Sequence, residues 1–565
     1  MKVVIVGGAA GGATAAARIR RLDEHAEIVM IERSGYISYA NCGLPYYVGG
    51  VIREKSRLTL QTSERFWNRY RVDVRTRQEV TGIDRKGKKV RVRRLETGET
   101  YEESYDKLLL SPGAKPVRPP LPGIDDPRVF SLRIVEDALA MREFIETKKP
   151  ASAAVIGGGF VGLEVAENLR EQGIEVTVID MADQVLTTLD GDMASIVQTG
   201  LRKEGISLRL GCGVSGFEST EKGIRVLLGE ASPVEADMAV LAIGVKPETA
   251  LAREAGLELG LKGAISVDGQ MRTSDPDIFA VGDAVTVKNS VTGKDAVIAL
   301  AGPANREARI AADVICGRSS TYRGASGTFV IKLFGMTASA TGLTEKAADA
   351  AGLDWDSVVL SPSSHAGYYP GASTMVIKVL FEKKTLRILG AQIIGSEGVD
   401  KRIDVIAAAM QAGISADRLQ DLELAYAPPY SSAKDPVNMA GYMIEDVAEG
   451  LVRQYRWSDV EKLPRDGSVQ LLDVRTPVEF GRGSAEGFVN IPLDELREHI
   501  GELDKSKPVY AMCQSGLRSY LACRILSQEG FRCFNLSGGY RFWSAVTEER
   551  AVSRSSTGCG ADAQG

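Results

Sequence analysis

Two short stretches, 150 residues apart, constrain most tightly what this chain can become. Residues 2–6, KVVIV, are a β-branched run suited to a strand buried on both faces, and they lead into GGAAGGA and the helix-forming TAAARIRRL. Gly7, Gly8, Ala9, Ala10 and Gly12 make the turn, a GxGxxG pattern whose middle glycine is replaced by Ala9. The pattern returns in SAAVIGGGFVGLEVAENL, with Gly157, Gly158, Gly159 and Gly162. The first glycine of such a turn makes the bend, the second lets backbone approach a pyrophosphate, and the third lets helix and strand close up. After each helix a second strand ends on an acid, Glu32 and Asp180, where a carboxylate accepts hydrogen bonds from a ribose 2′-hydroxyl. The repeat predicts two doubly wound α/β domains, each holding a dinucleotide, and a hydride donor with a hydride acceptor explains that pairing best. Asp180 followed by Met181, with no arginine, favours NADH, with NADPH as the alternative.

The remaining composition narrows the field. At 565 residues the chain exceeds one core, so three to five domains are expected. A net charge of −5 gives no reason to expect nucleic acid or an anionic membrane as partner. No apolar run reaches the roughly 18 residues of a membrane span, and Met1 leads straight into a strand, so a cytoplasmic location is expected. Seven scattered cysteines without a CxxC pair, and three histidines, argue against a disulfide framework and against a metal site. Chemistry is left to cysteines, carboxylates, tyrosines or a cofactor.

Cys42, in SYANCGLPY at 38–46, follows Glu32 by ten residues and so lies beside whatever the first turn binds. A lone cysteine is more often core packing. On the first helix, however, Thr14, Arg18 and Arg21 fall at i, i+4 and i+7 and share a face next to that loop. Arginine forks suit phosphate, so the face is read as binding an anionic substrate.

The GxAxxG turn, the GxGxxG turn and the later VGDA resemble the pyridine nucleotide-disulfide oxidoreductases over residues 1–445. That resemblance implies an FAD-binding domain at 1–113 and 247–326, an inserted NAD(P)-binding domain at 114–246, and an α+β dimerisation domain at 327–450 that makes a homodimer. It implies that Asp283 binds the ribityl region of FAD, and it adds Arg33, Gly113, Gly244 and Gly282 to the cofactor-binding residues. Cys42 lacks the second redox cysteine four or five residues away that many members carry. A single cysteine beside a flavin needs an outside partner: a sulfenate oxygen, a small-molecule thiol or a sulfane sulfur. NADH peroxidases and oxidases carry a histidine in the first turn, where this chain has Ala10. SYANCGLPYY is instead similar to the SFxxCxLPYxxG signature of coenzyme A disulfide reductases, with Tyr39 for Phe. This likeness implies a mixed disulfide of Cys42 with coenzyme A, whose nucleotide end would lie on Thr14, Arg18 and Arg21. It places Ser38, Asn41, Arg71, Asn305 and Lys434 around the CoA or the sulfur. Tyr368 and Tyr426 become candidate acids toward the departing thiolate, ahead of Tyr369 and Tyr430.

From residue 451 the composition turns polar and a new α/β unit begins, taken as 451–549. A strand ends in Asp473, Arg475 and Glu479, and a second, VYAMC, delivers Cys513 into QSGLR and a helix. Backbone N–H groups and Arg518 are expected to point at an anionic sulfur and lower the thiol pKa. DVRTPVEF, NIP, CQSGLRS and LSGGYRFW resemble a rhodanese, a sulfurtransferase domain, although Ser484 stands where histidine is common. The six-residue loop favours a single sulfur over a phosphate. Cys523 and Cys533 read as core, and 550–565 as a disordered tail carrying Cys559. The expected activity is NAD(P)H-dependent, FAD-dependent reduction of CoA disulfide, CoA persulfide or polysulfide at Cys42, with Cys513 handling sulfane sulfur and sulfide released. The alternatives are an oxidase or peroxidase using a Cys42 sulfenate, and a sulfur carrier or redox sensor without turnover.

Overall fold

The computed structural model describes residues 1–556, in two units. The first comprises Met1–Asp183 and Gly205–Gly327; of the described residues, the second comprises Gln184–Glu204 and 328–556.

In the first unit, strand β1 (Lys2–Val6), helix α1 (Ala10–Leu22) and strand β2 (Glu27–Glu32) form the opening βαβ motif. β1 lies at the centre of a five-stranded parallel sheet, between β2 and Lys107–Leu110, with Val72–Thr76 and Ile278–Ala280 at the edges. Val3, Val4 and Ile5 are fully buried, as a strand covered on both faces requires. A short helix, α2 (Leu44–Val48), follows Cys42. The second motif repeats the first with β3 (Ser152–Ile156), α3 (Phe160–Glu171) and β4 (Glu175–Ile179), again at the centre of a five-stranded parallel sheet. Each sheet is accompanied by a three-stranded antiparallel one. The sequence repeat is thus a structural repeat.

The second unit takes in helix α4 (Gly191–Lys203). Its first sheet is antiparallel and five-stranded, and strand β5 (Trp355–Leu360) is one edge. Helices Val399–Ala412 and Pro436–Ala448 pack on it in one apolar core with Ile377, Ile393, Ile403 and Ile444. The second sheet is parallel and five-stranded and contains β6 (Val509–Met512), helix α5 (Leu517–Gln528) and strand β7 (Cys533–Leu536). Cys523 and Cys533 lie in its core. The last helix, α6 (Gly539–Ser556), runs seven residues into the stretch read as a disordered tail. Glu549 on α6 is buried and pairs with Arg202 of α4 at 3.0 Å, and Gln198 donates to it at 3.2 Å, which holds the polar helix in place. Residues 557–565, with Cys559, lie outside the described residues.

Candidate active site

The two glycine turns share one hydrogen-bond plan. Gly8 N donates to Glu32 Oε2 at 2.7 Å, and Gly158 N donates to Asp180 Oδ2 at 2.6 Å. Each acid's other oxygen accepts from a backbone N–H just beyond it, Ser34 or Ala182. Burial pushes the Glu32 carboxyl up, and these two N–H groups oppose it. Gly7 and Gly157 have φ of +96° and +111°, and a Cβ on either would sit 2.1 or 2.3 Å from a carbonyl of the neighbouring strand's end, Ser111 or Ala242. A Cβ on Gly12 or Gly162 would lie 1.8 or 1.9 Å from the carbonyl of Gly7 or Gly157. These four positions therefore allow only glycine. Ala9 and Gly159 cap α1 and α3 without a side-chain acceptor, and the space around Gly159 is open. Gly244, at φ +104°, also faces open space. The donor set fits a pyrophosphate at each helix start.

Further along the first unit, Gly282 N donates to buried Glu307 at 2.8 Å, and burial pushes that carboxyl up to about 7. Asp283 pairs with Arg133 at 2.6 Å. Arg133 also donates to the Ala114 carbonyl, and its NH2 lies 3.5 Å from where a Gly113 Cβ would be. No local spacing marked Arg133 in advance, because its partner is 150 residues away. Arg33 is exposed and lies within 3.6 Å of Glu79 and 3.5 Å of Glu248.

Ser38, at φ +44°, donates its N–H to the Gly8 carbonyl at 2.7 Å and so ties the Cys42 loop to the first turn. A non-glycine residue in that conformation costs about 1–3 kcal/mol, a strain the surrounding contacts must offset. Cys42 is exposed in the 3-10 turn Asn41–Gly43, with half-buried Asn41 beside it. Its thiol is nonetheless pushed up, first by desolvation, then by the charges of Glu164 and Asp283, with Arg133 opposing. Glu164, on α3, accepts from Tyr46 Oη at 3.4 Å, and burial pushes its carboxyl up to about 7. α2 lies against α3 so closely that a Cβ on Gly49 would be 2.0 Å from Asn168 Oδ1. The first turn, the second turn's helix and the Gly282–Asp283 corner therefore meet around one thiol.

On α1, Thr14 Oγ1 donates to Asn305 at 2.5 Å, and Arg18 forks onto Asp313 with two contacts of 2.8 Å. Arg21 stays exposed, as does Arg71, whose guanidinium lies 5.5 Å over the Trp67 ring. The helical face exists as spaced, but one of its two arginines is engaged by a carboxylate.

In the second unit, Cys513 is fully buried at the end of β6. Its Sγ accepts from Gly516 N at 3.1 Å and from Ser519 Oγ at 3.3 Å. Arg518 forks onto Glu479, with two contacts of 2.7 Å, and holds that carboxyl down at about 2. Buried Arg475 pairs with Asp473 at 2.7 Å, donates to the Gly483 carbonyl next to Ser484, and lies 3.9 Å from the Tyr540 ring. Tyr368 and Tyr426 meet through their hydroxyls at 2.8 Å, and this bond pushes the Tyr426 phenol up. Tyr426 and Tyr430 line a cleft of about 630 Å³ with His365 and Lys401. Tyr369 stacks edge-on against His365 instead, and Lys434 is exposed. Among the described residues, no group of three or more His, Cys, Asp or Glu is placed to hold a metal ion, and no helix is long and apolar enough to cross a membrane.

Two dinucleotide cradles converging on a single thiol define a nucleotide-dependent thiol oxidoreductase. The chain belongs to the pyridine nucleotide-disulphide oxidoreductase family, whose model matches residues 1–308; the family's dimerisation domain matches 329–436, and a rhodanese-like domain matches 457–546. It is 36% identical over 445 residues to a coenzyme A disulfide reductase of Staphylococcus aureus, covering 78% of this chain and 99% of that protein. The crystal structure of reduced CoADR-RHD from Bacillus anthracis matches 97% of this chain and 98% of its own, with TM-score 0.95 and 47% identity. An NAD-dependent persulfide reductase from A. fulgidus matches 96% of this chain and 100% of its own, with TM-score 0.90 and 39% identity.

Proposed function

We propose that this chain is an FAD-dependent reductase that uses NADH, with NADPH as the lesser donor, to reduce CoA disulfide, CoA persulfide or polysulfide at Cys42. The observation that carries the reading is a single exposed thiol tied to the first glycine turn through Ser38 and resting, through α2, on the helix that opens the second. FAD at the first turn and NADH at the second would supply two electrons to that sulfur. The Cys42 thiolate attacks the CoA-borne sulfur of a CoA persulfide, the S–S bond breaks, HS⁻ leaves and a Cys42–CoA disulfide remains. Two-electron reduction of that disulfide restores Cys42 and frees the CoA thiolate. Tyr368 and Tyr426, joined at 2.8 Å, are suited to protonate a thiolate leaving group. The exposed Arg21 and Arg71, with Thr14, Asn305 and Arg18, are the groups offered to CoA phosphates.

Cys513 takes up sulfane sulfur within the same proposal, supported by its two hydrogen-bond donors and by the likeness to the persulfide reductase. Two copies would associate through the dimerisation domain, in the cytoplasm, where NADH is available. The domain limits expected from the sequence belong to this proposal. The test is Cys42→Ser: bound flavin is still bleached by NADH, and steady NADH consumption with CoA persulfide falls at least about 100-fold. Equal loss of flavin bleaching would overturn the electron order, and wild-type turnover as fast on hydrogen peroxide as on CoA persulfide would make the protein a peroxidase.

A further inference from the structure

One five-residue segment, 537–541, a turn and the first residues of α6, touches two parts of the second unit at once. Toward the sulfur, Tyr540 N donates to the Cys513 carbonyl at 2.8 Å and Arg541 N to the Gln514 carbonyl at 3.1 Å. Gly539, at φ +70°, is pressed so close that a Cβ there would lie 2.6 Å from Gly516 N and 2.7 Å from the Cys513 carbonyl oxygen. Toward the antiparallel sheet, buried Ser537 Oγ accepts from Val359 N at 3.0 Å, and Gly538 N donates to the Val359 carbonyl at 3.0 Å. Val359 lies on β5, an edge strand, so the turn at Ser537 and Gly538 caps hydrogen-bonding groups that an edge leaves open. Arg541 then donates to Thr374 Oγ1 at 2.8 Å.

Thr374 stands at the base of the loop that carries Tyr368. Ser363 and Thr374 form a bridge across that base, and Ser364 N donates to the Ser373 carbonyl at 2.7 Å. From the tip, Tyr368 reaches Tyr426. A continuous path therefore runs from the Cys513 loop through Arg541 and Thr374 to the tyrosine pair.

Cys513 has no exposed surface, and its Sγ already has two donors. A second sulfur seated on it must displace neighbours, since close-packed interiors transmit such a change rather than absorb it. Gly539 is packed directly on the backbone of the Cys513 loop. We propose that Arg541 is a positioning residue through which sulfur loading of Cys513 shifts the 361–375 loop, and with it Tyr368, so that the reductase's proton donors respond to the sulfurtransferase domain's state. This rests on the reading of Cys513 as a sulfane-sulfur acceptor. With thiosulfate as donor, the Cys513 thiolate attacks the outer sulfur, the S–S bond of thiosulfate breaks, Cys513–S–S⁻ forms and sulfite leaves with the electron pair.

The experiment is hydrogen exchange on the full-length holoprotein, with and without thiosulfate, with loading followed by the mass gain of one sulfur on the Cys513 peptide. In the wild type, loading is expected to change exchange of 537–541 and 361–375 together, on the order of twofold or more. In Arg541→Ala, which leaves Cys513 and its donors in place, 537–541 still responds and 361–375 does not, while Arg541→Lys restores part of the second response. In Cys513→Ser neither responds. Loading without any change at 361–375 in the wild type overturns the coupling, as does a full response in Arg541→Ala. Absence of the added sulfur overturns instead the reading of Cys513 as acceptor.

Discussion

Cys42 sits where opposing charges converge. Desolvation raises its pKa, Glu164 and Asp283 raise it further, and Arg133 pulls it back. Glu164 is itself held up to about 7 by burial, with Tyr46 donating to it and Glu167 adding charge beside it. As pH rises through that range Glu164 gains its charge, and the charge then keeps the proton on Cys42. Glu164→Gln removes the charge without the shape, so the Cys42 thiolate should form at lower pH. Iodoacetamide trapping of Cys42 at pH 8 is expected to quicken on the order of threefold, with its midpoint at lower pH. An unmoved profile would show that Glu164 does not act on the sulfur. Cys42 was legible from its place after Glu32, but Glu164 was not: it is one polar residue in a helix, and it gains meaning only when α2 folds back over α3 from more than 100 residues away.

At the scale of elements, the glycine turns were the most legible feature because their requirement is local and steric. Gly12 allows α1 to approach β1, and a methyl there would meet the Gly7 carbonyl at 1.8 Å. Backbone cannot yield as a flexible side chain can. Gly12→Ala should therefore cost about 1–3 kcal/mol of stability and loosen flavin binding. Purified protein would show less flavin absorbance per chain and a lower Tm, whereas unchanged flavin content would contradict the role given to the turn. Partners distant in sequence were less legible. Helical spacing placed Arg18 on the Thr14 face, yet its carboxylate, Asp313, comes from a helix 295 residues on. Arg518 was expected at the sulfur, but Glu479 lies at hydrogen-bond distance and takes both sides of its fork. The last seven residues of α6 read as tail because the stretch from 550 is Ser/Gly-rich, and the helix's anchor on α4 could not be seen from spacing.

At the scale of the molecule, the second unit is held by a buried charge cluster. Burial alone would strip Lys378 of its proton, but Asp192, Asp190 and Glu345, at 2.8–3.0 Å, hold its pKa well above the ordinary value. Trp457, at the start of the rhodanese-like domain, donates to Asp192 at 3.2 Å, and Arg456 lies 3.3 Å from Asp356 at the start of β5. The fused domain is thus joined to the dimerisation sheet by the Arg456–Asp356 ion pair and by the 537–541 segment. The order of the modules could be read from motifs, whereas the pairing of Lys378 with Asp192, 186 residues back, could not.

The central claim is that the redox partner of Cys42 is a CoA-borne sulfur. Mass spectrometry of the non-reduced, denatured holoprotein after incubation with CoA disulfide tests it most directly. The expected result is a CoA adduct on the Cys42 peptide that NADH removes and that is absent in Cys42→Ser. An unmodified or sulfenylated Cys42 under the same conditions would contradict it.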